Sequence, residues 1–157
     1  MKRPWNSVNT AIYSLVTGVN DQFNMNICSY VSAVSRKPKL YVVAIDPETF
    51  TYQLLKHSNK AVLQLLHSSQ QTLVRTLGKK SGRTYDKMKF LEKKGALIDW
   101  QEMPVLRNSC AWMSIEKLDE CTTGDHQLFT FKVNKYKSRI DREVLTWDEL
   151  VEAKIIL

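Results

Sequence analysis

Asn24-Met25-Asn26-Ile27-Cys28-Ser29-Tyr30-Val31-Ser32-Ala33-Val34-Ser35-Arg36-Lys37-Pro38-Lys39-Leu40 mixes small polar and apolar residues and breaks at Lys37-Pro38. Met25–Ser35 reads as one long strand. Ile27, Ser29, Val31, Ala33 and Ser35 then face one way, and Asn26, Cys28, Tyr30, Ser32 and Val34 the other. Buried hydroxyls need partners, so a strand lined with them carries more polarity than core packing requires. After the Lys37-Pro38 turn, Leu40–Ile45 is a continuous apolar run, the pattern of a strand buried on both faces.

Outward from this stretch, Ala11–Val19 reads as a strand running into a turn at Asn20-Asp21. Asp46-Pro47 ends Leu40–Ile45, and a short helix is expected over Phe50–Lys56. Ala61–Leu66 is another buried strand. A helix from Ser68 to Leu77 is stopped by Gly78, and a second over Thr84–Lys93 is stopped by Gly95. Cys110–Leu118 and Leu128–Tyr136 read as paired strands around Thr123-Gly124-Asp125. Thr146 and Glu149 fit a capping box opening a last helix. Some six strands with short helices between them predict a mainly β fold, a closed barrel with helical excursions.

The chain has 157 residues, the size of one domain, so 1–157 is read as a single domain. Its 43% hydrophobic and 25% charged residues exclude a disordered chain. No apolar run has the roughly 18–20 residues of a membrane span, and the basic N-terminus lacks the apolar stretch of a signal peptide. Three cysteines without a CxxC argue against a disulfide framework and fit a reducing, cytoplasmic setting. The net charge of +7 is concentrated between Lys56 and Lys94, which holds ten Lys/Arg against two Asp/Glu. Such a field draws anions. Nucleic acid is disfavoured, because the segment lacks aromatic interleaving and any helix-turn-helix or RRM signature.

His57, His67 and His126 lack metal-ligand spacing to one another or to a cysteine, so no metal site is assigned. Cys28 has no signature placing a histidine beside it and reads as a small buried thiol. There is no GxSxG, no Gly-rich dinucleotide or phosphate loop and no carboxylate dyad, so no catalytic side chain is named. A hydroxyl-lined strand, a local cationic field and no catalytic set together fit a bound phosphorylated cofactor that carries the chemistry itself.

Asn24–Leu40 resembles the first motif of the flavin reductase-like FMN-binding split-barrel family. Further segments match in order: Ala44-Ile45-Asp46-Pro47 through Phe50-Thr51, Ala61–Leu66, Ser81-Gly82-Arg83-Thr84-Tyr85-Asp86-Lys87 (similar to flavoredoxin-type members), Ala111-Trp112-Met113, and Gly124-Asp125-His126-Gln127-Leu128-Phe129. Where the family carries Met-Thr, this chain has Asn26-Ile27, and the threonine hydroxyl has no counterpart. The resemblance implies a split β-barrel that binds FMN and passes hydride to it from NADH or NADPH. It implies flavin contacts from Asn26, Ile27, Cys28, Ser29 and Tyr30. Asp46 and Thr51 fall on the phosphate-side loop; Ser81, Arg83 and Lys87 clamp a phosphate; His126 approaches the flavin or nicotinamide. It also implies a homodimer, with Trp112, Phe129 and Phe131 as candidate interface aromatics, and reduced flavin handed to oxygen, free flavin, an oxygenase or another electron acceptor. Two alternatives stay open: a flavoredoxin-like electron carrier with little NAD(P)H activity, and a non-catalytic barrel binding phosphate or nucleic acid.

Overall fold

Asn20 and Asp21 both have positive φ (51° and 61°), the backbone of the two-residue turn whose twist matches that of flanking antiparallel strands. They join β1 (Tyr13–Val19) to β2 (Gln22–Cys28). The computed structural model describes residues 3–139 and 143–156. The further elements are β3 (Val31–Ser35), β4 (Leu40–Ile45), α1 (Phe50–His57), β5 (Lys60–Leu65), α2 (Gln71–Lys79), α3 (Lys87–Lys93), β6 (Leu97–Trp100), β7 (Met103–Leu106), β8 (Ala111–Thr123), β9 (His126–Ser138) and α4 (Trp147–Glu152).

Seven strands form one antiparallel sheet in the order β2-β1-β5-β8-β9-β4-β3. Its two edges, β2 and β3, are consecutive in the chain, with only Ser29 and Tyr30 between them. The sheet must therefore curl until its edges meet, yet no ladder joins them. It is a split barrel and not the closed barrel that strand count alone suggested.

Alternation along the central strands fills both sides of the sheet. Leu15, Ala61, Leu63, Ile115, Phe129 and Phe131 turn inward with Val43 and Ile45. Val16, Val62 and Trp112 turn outward under Leu73, Val74, Leu77, Leu91 and Leu150 of the helices. This two-sided burial explains the continuous apolar run at Ala61–Leu66. In β4, expected to be buried on both faces, only Val43 and Ile45 are buried; Tyr41 is half-buried, and so are Leu40, Val42 and Ala44 on the opposite face, which no helix covers.

The long strand expected over Met25–Ser35 is two strands. At the break the Val31 amide donates to the Ser29 carbonyl (3.0 Å) and the Ala44 amide to the Tyr30 carbonyl (3.0 Å). The chain here leaves one sheet edge and begins the other. Gly78 does not stop α2, which continues to Lys79; the glycine sits inside the helix facing Ile27 of β2, a Cβ there lying 3.5 Å from the isoleucine. The second expected helix starts only at Lys87, because the Asp86 carboxylate caps it by accepting from the Lys89 amide (2.9 Å). Gly95 ends it as expected, at φ +61°. The β8–β9 strands are longer than read. The β6–β7 hairpin was not anticipated: its turn uses Gln101 and Glu102 at positive φ (52° and 62°) and carries no Gly signal. At α4 the Glu149 carboxylate accepts from the Thr146 amide (2.8 Å), the reach-back bond of a capping box, and also from the Thr146 hydroxyl (2.8 Å). Trp112, Phe129 and Phe131, expected at a subunit interface, are buried in the core at 3%, 0% and 0% exposure. Among the described residues no helix is long and apolar enough to cross a membrane.

Candidate functional site

Where the two sheet edges meet, a cleft of about 460 Å³ opens between the end of β2, the Ser29-Tyr30 junction, the end of β4, the start of α1 and the Lys79–Gly82 segment after α2. Of the residues singled out from sequence, Asn26, Ile27, Cys28, Ser29, Tyr30, Asp46, Thr51, Ser81, Lys87 and His126 all line it. Arg83 does not; its side lies on a neighbouring cleft.

Several of these groups build the wall. The Asn26 side-chain oxygen accepts from the Leu15 amide (3.3 Å) and the Cys28 thiol (3.4 Å), tying β2 to β1. Cys28 is buried, and burial pushes its thiol up to about 12; it is protonated at neutral pH and is no nucleophile. The Asp46 carboxylate accepts from the Glu48 amide (2.8 Å), and its carbonyl from the Thr49 hydroxyl (2.7 Å). The chain thus turns into α1, capped by Thr49, whose hydroxyl accepts from the Tyr52 amide (3.2 Å). Thr51 is fully buried, and its hydroxyl accepts from the Asn24 side-chain amide (2.9 Å). The cap is thus Thr49, and Thr51 acts from inside the first turn. Phe50 and Thr51 keep main-chain N–H groups with no acceptor among the described residues, as first-turn amides do.

The loop after α2 closes the cleft's other side. The Ser81 hydroxyl accepts from the Arg83 amide (3.2 Å), and its carbonyl from the amides of Thr84 and Tyr85. A Cβ on Gly82 would lie 2.2 Å from the Asn24 side-chain oxygen, so only glycine lets the loop lie this close to β2. Lys87 is 5% exposed, and its ammonium donates to the carbonyls of Met25 (2.9 Å) and Leu77 (2.7 Å). Burial lowers it to about 8. It is a strut between β2 and α2 first, and not the free phosphate clamp expected from the sequence. On the opposite rim the His126 ring meets the Tyr30 ring edge-on at 5.3 Å, and its Nδ1 lies 2.7 Å from the Asp125 carboxylate. The hydrogen bond from His126 holds the Asp125 carboxyl below the usual range.

Sequence reasoning missed Asn24, Lys79, Lys80 and Phe50, which also line the cleft. The two lysines were visible as part of the basic segment. Asn24 was visible only as the first letter of the strand motif. What the cleft offers is therefore two free helix amides and the exposed Lys79 at one end, beside Lys80, whose ammonium lies 4.0 Å from the centre of the Tyr85 ring, with strand backbone and amide side chains along one wall and a tyrosine–histidine pair at the far rim.

The model of the family described as "Flavin reductase like domain" matches residues 5–150. An uncharacterised protein of Pyrococcus abyssi is 28% identical over 124 residues, covering 79% of this chain and 71% of its own. Among solved structures, an FMN-binding protein from Thermus thermophilus with bound p-hydroxybenzaldehyde superposes with a TM-score of 0.81 at 22% identity, over 94% of this chain and 86% of that one. An NADH:FAD oxidoreductase of Streptomyces globisporus C-1027 has a TM-score of 0.81 at 15% identity, over 90% and 83%. The flavin reductase component of a bacterial two-component tryptophan halogenase has 0.79 at 18%, over 91% and 88%. At these identities the structures establish a common fold.

Proposed function

This chain belongs to the flavin reductase like domain family, and on that premise we propose that it binds FMN in the cleft between its two sheet edges and reduces it with hydride from NADH or NADPH. The observation that carries the reading is the composition of that one cleft, about 460 Å³, within the roughly 300–1,000 Å³ of small-molecule sites. Its donors suit a ligand with a phosphate at one end and a flat, hydrogen-bonding ring system at the other.

The flavin, when bound, supplies the hydride chemistry. The chain supplies binding and orientation. The amides of Phe50 and Thr51 sit at the positive end of α1, and together with Lys79 they would hold a phosphate by hydrogen bonds and charge. Asn26 and the Ser29-Tyr30 backbone present polar groups along the ring edge. Tyr30 and His126 meet edge-on at the rim, past which a nicotinamide would reach the ring. Hydrogen-bonded to Asp125, the imidazole is held in one orientation. No side chain is asked to take a proton, so the rate enhancement comes from holding donor and acceptor together.

The reading also includes a homodimer and transfer of reduced flavin to an oxygenase or other acceptor. A fluorescence titration tests the site: FMN should bind about 10–150-fold more tightly than riboflavin, the worth of a charge-assisted hydrogen bond. Equal affinities would remove the phosphate assignment. Bleaching of the flavin absorbance on adding NADH or NADPH tests the reaction. A bound flavin that neither nucleotide bleaches would make the protein an electron carrier.

A further inference from the structure

A smaller pocket, about 210 Å³, lies between the end of β2, α2 and the residues that follow α4. The last of these are turned back onto the molecule. After α4 the Lys154 amide donates to the Val151 carbonyl (3.0 Å) and the Ile155 amide to the Leu150 carbonyl (2.9 Å), with Lys154 at φ +54°. These are the paired bonds of a Schellman close, and they bring Ile155 to 8% exposure. The Arg75 guanidinium of α2 donates to the Lys154 carbonyl (3.1 Å) and ties the turn to that helix. Ile12, Ile27, Val74, Trp147, Leu150 and Ile156 complete an apolar lining. Ser29, Arg75 and Lys79 are its polar side chains, and no acidic residue lines it. Arg75 and Lys79 stand one turn apart on α2, and neither has a carboxylate partner among the described residues. Two cations without counter-charge beside an apolar lining favour a ligand that carries both an apolar body and an acid.

We propose that this pocket binds a small aromatic carboxylate, its ring among the isoleucines and Trp147 and its acid against Arg75 and Lys79. Size selects the class. An apolar cavity of about 150 Å³ already holds a benzene ring, and sites for drug-sized ligands begin at about 300 Å³. At about 210 Å³ there is room for one ring and one acid group, and none for a nucleotide or a peptide. Charge selects the polar group. A guanidinium has five N–H donors, and Arg75 spends one on the Lys154 carbonyl. That bond holds the planar fork in place, and its remaining donors suit the two oxygens of a carboxylate. Trp147 is half-buried and offers a flat apolar surface. The pocket touches the flavin cleft at Ile27, Ser29, Gly78 and Lys79, which line both spaces, whereas Arg75, Trp147 and Ile156 line only this one. The site therefore stands whether or not the neighbouring cleft holds flavin.

Benzoate is the probe, titrated calorimetrically into the full chain saturated with FMN. Benzamide keeps the ring without the charge, and acetate the charge without the ring. One benzoate per chain is expected, with benzamide weaker by roughly ten-fold or more, the worth of a charge-assisted hydrogen bond, and acetate without measurable binding. Arg75→Glu reverses the charge, and Ile156→Trp fills the pocket from the chain end. Each should weaken benzoate by a similar factor and leave FMN affinity unchanged; circular dichroism confirms that both are folded. Arg75→Lys keeps a cation and should stay within a few-fold of the wild type. No saturable benzoate binding overturns the proposal. So does equal affinity for benzamide, equal affinity in all the variants, or a loss in Arg75→Lys as large as in Arg75→Glu. Benzoate that binds the FMN-free protein and is displaced completely by FMN occupies the first cleft, which also overturns it. If the protein binds no FMN, the flavin reading falls and the same titrations on the protein alone decide this site; FMN binding without benzoate binding leaves the flavin reading standing and removes this site.

Discussion

Gly82 and Asn24 touch so closely that the loop over the cleft depends on the missing side chain. A Cβ at Gly82 would lie 2.2 Å from the Asn24 oxygen and 2.8 Å from the Phe50 ring, and Asn24 is already committed to Thr51. Gly82→Ala must push the loop outward, at about 1–3 kcal/mol for overpacking. Both the urea midpoint and FMN affinity should fall, and unchanged values for both would contradict the contact. Cysteine chemistry divides at this scale too. Cys28 is buried with its thiol pushed up to about 12, whereas Cys121 is exposed. Iodoacetamide at neutral pH should label Cys121 in the native protein and leave Cys28 unmodified, as peptide mass spectrometry reads. Each of these residues could be picked out in the sequence; its neighbours could not.

Helix α3 is held to the sheet through its first residue. Lys87→Met keeps the hydrocarbon stem but leaves the Met25 and Leu77 carbonyls without their donor. The expected loss is about 1–3 kcal/mol of stability, since an unsatisfied buried acceptor costs that order. The pH dependence has a definite sign. Burial lowers the ammonium from 10.5 to about 8. Between those values the unfolded chain holds a proton that the folded chain has released. The contribution of Lys87 to stability therefore rises with pH across that window and is lowest below about pH 8. The neutral amine still has two N–H groups, enough for both carbonyls. In urea unfolding the deficit of Lys87→Met against the wild type should widen on going from about pH 7.5 to about pH 9.5. A deficit that shrinks would mean the ammonium is not desolvated. Elements with a strong local signal, such as Leu40–Ile45 and the Thr146–Glu149 cap, were legible beforehand. The β6–β7 hairpin was not, because Gln101 and Glu102 adopt a backbone that their side chains do not announce.

At the scale of the whole molecule, the sheet leaves β3 as an open edge, paired on one side by β4. Tyr30 and Val34 are exposed there, at 66% and 53%. Since Trp112, Phe129 and Phe131 are spent on the core, a subunit interface would draw on other exposed apolar side chains, among them Tyr30 and Val34 at this edge and Leu118 and Tyr136 on the β8–β9 ladder. Light scattering at micromolar protein with FMN present should give twice the mass of one chain. Val34→Lys, which places a charge on the edge strand, should shift the equilibrium toward monomer. The mass of one chain for the wild type would contradict a dimer.

Local patterns in the sequence located most of the strands and helices and the excess of positive charge between Lys56 and Lys94. Side-chain alternation and capping act over a few residues, so they can be read in one dimension. Ten residues scattered from Asn26 to His126 came together in one cleft because the family motifs carry that arrangement implicitly. Only the tertiary structure decided the rest. The strand motif had to break at Ser29-Tyr30, because consecutive strands form opposite edges of one curled sheet. Lys87 became a buried strut because its ammonium meets carbonyls ten and sixty-two residues away. Arg83 lines the neighbouring cleft across the loop from the one between the sheet edges, while Gly82 of the same loop packs against β2. Long-range packing chose each of these, and a contact made across such separations leaves no periodicity in the chain.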